Sequence, residues 1–175
     1  SGEKMEHGGV IIASAASPLI PNLKNQETEW KSCMCLYFEV DKTNIPNRTI
    51  ALVADSDKYI NNLYAYPDPE KGKTVLSATS LKQEGRTDEE MVDAVIKEVR
   101  EYTGASHVSF LKLYRINQAL PDIQNLRMTA QPSESQILQN VFLAGDYLFN
   151  GSLNAAMESG RLAAQGLIEK QKGIF

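Results

Sequence analysis

The chain of 175 residues is poor in the groups that usually betray chemistry. It has two cysteines, two histidines and one tryptophan. Cys33 and Cys35 stand two apart in a strand-like run, so their side chains share a face. Same-face neighbours on one strand rarely close a disulfide, and the spacing is not C-x-x-C; two half-buried thiols are the expectation. With only His7 and His107 to add imidazole, no metal site is expected. Charge of one sign is missing too. The formal net charge is −4 and the Lys and Arg residues are dispersed, which excludes the basic stripe of a nucleic-acid binder. No apolar run approaches the roughly 20 residues of a spanning helix, and no charged-then-apolar leader opens the sequence. The expectation is a soluble chain, in a cytoplasmic setting. No nucleophile–base pair can be assembled, so the catalytic residues stay unknown.

What is present is regular alternation of strand and turn signals. Gly9 to Ala13 is a short apolar run, read as a buried strand ended by Ser14 and Pro18. Pro18 to Glu29 is polar and irregular, with Leu19, Ile20 and Leu23 as anchors. Cys33–Val40, Thr49–Ala54, Asn61–Tyr66 and Thr74–Thr79 read as an antiparallel meander of about four strands. Its turns are marked by Asn44, Pro46 and Asn47, and by the run from Pro69 to Lys73. Thr87 and Glu90 have the spacing of a capping box, Met91, Val92, Val95, Val99 and Tyr102 share a helical face, and Gly104 is the stop. The acidic run Asp88-Glu89-Glu90 suits that helix start better than a metal site. Val108–Tyr114 reads as a further strand, and Leu120-Pro121 as a bend into a polar connection at 131–133. His107 at the strand start has a surface or capping role.

The richest segment is near the end. Val141-Phe142-Leu143-Ala144 runs into Gly145-Asp146, and Gly151-Ser152 opens a helix to about Gln171. That helix is lined with small residues: Ala155, Ala156, Ser159, Gly160, Ala163 and Ala164. A buried strand, a tight turn and a helix N-terminus can together face a polar or anionic ligand. The simpler alternative is an Asx turn at Asp146 and a helix cap at Ser152.

The segment from Val141 to Ala164 closely resembles the C-terminal FAD-binding motif of the flavin-containing amine oxidoreductase superfamily, which includes amine oxidases, protoporphyrinogen oxidase and phytoene desaturase-like enzymes. Val10 to Leu19 resembles that family's strand and crossing loop, and Tyr114 to Pro121 resembles a stretch ending in Ala-Leu-Pro. The resemblance implies that Gly145 and Asp146 meet the pyrophosphate–ribityl part of FAD. It implies that Leu153, Asn154 and Ala155 offer backbone N–H groups to the flavin, with Gly151 and Ser152 leading into them. It also implies hydride transfer from a small organic substrate, an amine or a CH–CH compound. Three departures stand out. No G-x-G-x-x-G occurs in the chain, so the dinucleotide fingerprint would come from a missing N-terminal half or subunit. Ser152 stands where many amine oxidases place an aromatic cage residue. A flavin-facing lysine would fall near Cys33, with Lys31 the nearest same-face candidate.

The expected fold class is α+β: an antiparallel or mixed β-meander with a packed helix as substrate domain, flanked by short strands and a C-terminal helix of an incomplete α/β FAD-binding domain. Residues 1–20 are the returning strand and crossover, 21–135 the substrate-binding domain, and 136–175 the closing strand and helix. Tyr37, Phe38, Tyr64 and Tyr66 either line a substrate pocket or pack across strands. The alternative to an oxidoreductase portion is a catalytically silent binding or assembly module keeping only the substrate domain. Unpaired edges and apolar faces on the flanking strands point to self-association.

Overall fold

The computed structural model describes residues 2, 4, 6–14, 19–20, 28–68, 70, 72–82 and 85–175. In chain order the elements are β1 (Val10–Ile12), β2 (Trp30–Val40), β3 (Ile50–Leu52), β4 (Ile60–Asp68), β5 (Lys73–Ser80), α1 (Asp88–Thr103), β6 (Val108–Pro121), β7 (Gln136–Leu138), β8 (Val141–Leu143) and α2 (Leu153–Gln171). The chain divides into two compact units, Ser32–Ala119 and Ser1–Lys31 with Leu120–Phe175. The mixed α+β class is as the sequence predicts.

The first unit is a five-stranded sheet in the order β3-β4-β5-β2-β6. β3–β4, β4–β5 and β5–β2 are antiparallel. β2–β6 is antiparallel as well: Tyr37 meets Tyr114, while four residues on, the Asp41 N–H reaches the His107 carbonyl. Period-two alternation sends Met34, Leu36, Phe38 and Val40 to one face, where Leu63, Ala65, Leu76 and Ala78 join them. α1 covers that face with Met91, Val95 and Val99, spaced three to four apart so that they share a stripe. Its start is fixed as predicted. The Thr87 hydroxyl accepts from the Glu90 N–H at 3.2 Å, and the Glu90 carboxylate accepts from the Thr87 N–H at 2.9 Å. Gly104 closes the helix in the left-handed region at φ 67°.

The second unit holds a three-stranded sheet, β1-β8-β7, in which β1 runs parallel and β7 antiparallel to β8. α2 packs on it through Ala163 against Phe142 and Ala144. The packing is close. A Cβ at Gly166 would lie 2.5 Å from the Pro132 carbonyl oxygen and 3.0 Å from the Phe142 ring. A second small cluster joins Phe149, Ala155 and Leu162.

Several elements differ from expectation. The strand predicted over Thr49–Ala54 is only Ile50–Leu52, because it is the sheet's outer strand and Ile50 and Leu52 face solvent. β6 runs on through Leu120 to Pro121 where a bend is predicted; at the end of an edge strand the missing proline N–H costs no ladder bond. β7 was not anticipated at all. The β1 strand, expected to be buried, is only partly so, with Ile11 37% exposed, since no described residue covers its outer side. Part of the resembling stretch Val10–Leu19, anchor Leu23, and turn positions 69 and 71 lie outside the described residues.

Candidate functional site

β8 delivers the chain through Ala144 into the Gly145-Asp146 turn. Gly145 is extended, at φ 163°. Its lack of a side chain matters for another reason: an added Cβ would fall 2.2 Å from Cε1 of Tyr147, whose ring lies across it. The Gly145 N–H is not free for a ligand. It donates to Ser159 Oγ on α2 at 2.8 Å, and that hydroxyl donates in turn to the Ala156 carbonyl at 2.8 Å. Ser159 is 1% exposed. A residue whose sequence context says only that it is small thus ties the turn to the helix. A single 3-10 turn, Asp146–Leu148, follows, and the Asp146 carbonyl accepts from the N–H groups of both Phe149 and Gly151 at 3.1 Å.

Gly151 requires glycine. Its φ is +67°, and a Cβ there would sit 3.2 Å from Pro121. Ser152 is the N-cap of α2, accepting from the Ala155 N–H at 3.1 Å and donating to Asn150 Oδ1 at 2.6 Å. The Asn150 amide reaches the Arg127 carbonyl at 3.1 Å, bracing the loop from below. Of the three backbone donors predicted to face a ligand, that of Ala155 is therefore taken by the cap. Those of Leu153 and Asn154 have no partner among the described residues.

Two further groups in this stretch are unmet. The half-buried Asp146 carboxylate makes no hydrogen bond or ion pair among the described residues, and neither does the buried Tyr147 hydroxyl. Burial, and then the adjacent Asp146, push the Tyr147 phenol up, so it stays protonated. From 146 to 154 the chain thus presents an acceptor and two backbone donors, these last at the positive end of a 19-residue helix. That set fits an oxygen-rich, partly anionic ligand such as FAD. Behind the turn lies a cavity of about 70 Å³ lined in part by Arg127, Glu134, Leu148 and Ser159. Arg127 and Glu134 close it with a 2.8 Å ion pair.

In the sheet unit, the face away from α1 carries Cys35, Tyr37, Tyr64, Tyr66 and Ser77. Phe38, predicted as a pocket or packing residue, is core. Tyr37 and Tyr114 meet edge-on at 6.0 Å, Tyr64 and Tyr66 at 4.4 Å. An open depression of about 700 Å³ is lined by Cys35, Tyr37, Tyr114, Arg115, Ile116 and their neighbours. The Cys35 thiol lies 3.4 Å from the Ser77 hydroxyl. Burial, then Cys35, raise the pKa of the Cys33 thiol; both thiols are free. Lys31 pairs with Asp122 at 3.2 Å. No cluster of three or more metal-ligating side chains occurs among the described residues, nor is any described helix long and apolar enough to cross a membrane.

Against known proteins, residues 2–168 match the model of a family described as flavin containing amine oxidoreductase. The chain belongs to that family. Among solved structures, this amine oxidoreductase chain is similar to an oxidoreductase from Methanosarcina mazei, with TM-score 0.53 and 8% identity over 83% of this chain and 35% of that one. It is also similar to a putrescine oxidase variant from a structure-based redesign of cofactor binding, with TM-score 0.50 and 8% identity over 78% of this chain and 34% of that one. At that identity the likeness is one of fold. The chain spans about a third of the length of these structures. No curated protein matches it.

Proposed function

We propose that the chain forms one wall of an FAD site and much of a substrate site in an FAD-dependent oxidoreductase, acting with a dinucleotide-binding unit that supplies the missing G-x-G-x-x-G. The observation that carries this is the Asp146 carboxylate and the Leu153 and Asn154 N–H groups, without partners among the described residues, in a chain whose family is flavin-containing. The chemistry FAD supplies when bound is acceptance of a hydride from an amine or CH–CH substrate. The chain's own residues do the holding. Ser159 and Gly145 fix the turn, Ser152 and Asn150 fix the start of α2, and the free Leu153 and Asn154 N–H groups stabilise negative charge placed before the helix. The depression beside Tyr37 and Tyr114 has the size of a small-molecule site and takes the organic substrate.

Co-expression with a chain carrying a G-x-G-x-x-G unit should give a yellow complex. A well-folded complex that stays colourless with added FAD would refute the reading. The isolated chain should bind FAD weakly or not at all; micromolar binding would show that it needs no partner. A second reading is a catalytically silent assembly module that keeps the substrate domain only. On that reading the complex forms but stays colourless.

A further inference from the structure

We infer that Met128 is a reversible oxidation site whose state sets how firmly the start of α2 is held. The Asn150 side-chain amide donates to the Met128 sulfur at 3.4 Å. The same amide donates to the Arg127 carbonyl at 3.1 Å, and Asn150 Oδ1 accepts from the Ser152 hydroxyl at 2.6 Å. Ser152 in turn caps α2 through the Ala155 N–H at 3.1 Å. A relay of hydrogen bonds thus runs from the Met128 thioether through Asn150 and Ser152 to the first turn of the helix.

Two features make this thioether a place of change. It is accessible: Met128 is 79% exposed, whereas Met34 and Met91 are fully buried. Its bond to Asn150 is also of the weakest kind, because a thioether sulfur is a poor acceptor. Met157 is exposed too, but it makes no hydrogen bond among the described residues, so its oxidation reaches nothing. The oxidant is hydrogen peroxide, which gives one oxygen to the sulfur. The O–O bond breaks, an S–O bond forms, the sulfur gives up two electrons, and the peroxide leaves as water. The sulfoxide oxygen accepts better than the sulfur did. The unbranched side chain backs away and lets that oxygen take the Asn150 amide. Asn150 is then held by two good acceptors, and the Ser152 cap is firmer. Met128 belongs to neither apolar cluster of its unit, so the added oxygen disturbs no core.

The test uses the 175-residue chain with Met5→Leu and Met157→Leu, which leaves Met128 as the one methionine besides the buried Met34 and Met91. A second chain adds Met128→Leu. Both are treated with hydrogen peroxide. Each is followed by mass, by the NMR resonances of the Asn150 side-chain amide and the Ala155 N–H, and by its thermal midpoint. Oxidation of Met128 should move both resonances and raise the midpoint by about 1–3 °C. Sulfoxide reductases for both epimers, with a thiol reductant, should reverse the two changes. The chain without Met128 should show neither. Cys33 and Cys35 are present in both chains, so the comparison subtracts whatever peroxide does to the thiols. Resonances that stay in place once the mass shows the Met128 sulfoxide would overturn the inference. So would a midpoint that falls on oxidation, or equal changes in the Met128→Leu chain. None of these outcomes depends on whether FAD binds.

Discussion

The two units of this chain solve the burial problem differently. In Ser32–Ala119, one cluster of fifteen buried residues runs from Met34 to Val108, closed on one side by α1. In the other unit, burial is split between two clusters of three, Phe142, Ala144 and Ala163 in one and Phe149, Ala155 and Leu162 in the other. Its strands have three residues each. The unit with the thinner core carries the unmet polar groups. The sheet unit offers an open depression beside Tyr37 and Tyr114, but no buried side-chain polar atom there lacks a partner among the described residues. The other unit leaves Ile11, Leu153 and Met157 exposed and has two backbone donors without a partner among the described residues.

Removing core side chains tests that contrast most severely. Phe38→Ala should cost about 3–5 kcal/mol, because Phe38 is fully buried. Ile11→Ala, on the outer side of β1, should cost the chain alone well under about 1 kcal/mol. Urea unfolding of both variants checks the pair. If the proposed dinucleotide-binding unit covers the outer side of β1, the Ile11→Ala cost grows in the complex. Should Ile11→Ala match Phe38→Ala in the isolated chain, self-association would already be covering β1, and light scattering would show it.

Glu98 gives the next effect. It is 8% exposed on α1, and its carboxylate accepts from the Tyr59 and Ile60 N–H groups at 2.9–3.0 Å. No described cation pairs with it; two backbone donors hold the charge, tying the start of β4 to the helix. Glu98→Ala leaves both donors buried and empty, and should cost about 2–4 kcal/mol. A loss under about 0.5 kcal/mol in the same urea titration would mean that water replaces the carboxylate without penalty.

Legibility followed how local each determinant is. The capping box at Thr87 and Glu90, the stop at Gly104 and the apolar stripe of α1 lie within one turn or two of their partners, so spacing reveals them. The strand–turn–helix at 141–171 was legible as a unit for the same reason. Glu98 was not, since its partners are 38 and 39 residues away, and on the sequence it is one more polar residue on an amphipathic helix. Ser159 was misjudged in kind: read as a small residue for close packing, it is a hydrogen-bond acceptor reaching back 14 residues to Gly145. The full length of β6 was hidden by Leu120-Pro121, a bend signal in most contexts and an acceptable ending at a sheet edge.

The two glycines of α2 divide the helix between these demands. Gly166 sits where a methyl group would strike the Pro132 carbonyl, a backbone atom that cannot swing aside. Gly166→Ala should therefore destabilise by about 1–3 kcal/mol despite alanine's better helix propensity. Gly160 has no atom within 4 Å of its would-be Cβ, so Gly160→Ala should stabilise the isolated chain by up to about 1 kcal/mol. Thermal midpoints of the two variants should move in opposite directions. If the open space beside Gly160 is filled in the FAD-loaded complex, the gain seen in the chain alone disappears there.

The smallest effect is electrostatic and lies one residue from Ser159. Glu158 accepts from Arg161 at 2.7 and 2.8 Å and from the Thr129 hydroxyl at 3.1 Å. The Arg161 bonds, more than Thr129, hold its carboxyl down at about 2 against an ordinary 4.5. A carboxylate whose pKa falls on folding stabilises the fold above its unfolded value and stops doing so as protons arrive. The Glu158 contribution should thus be complete above about pH 4.5 and fade toward pH 2. It is small, because the pair is exposed to solvent and screened by salt. Carbon-detected NMR titration of the Glu158 carboxyl should give a midpoint well below the ordinary 4.5, and Arg161→Ala should return it toward 4.5. If the midpoint stays low in Arg161→Ala, the Thr129 hydroxyl is the stronger partner, and Glu158 then acts mainly to pin the 126–130 segment against α2.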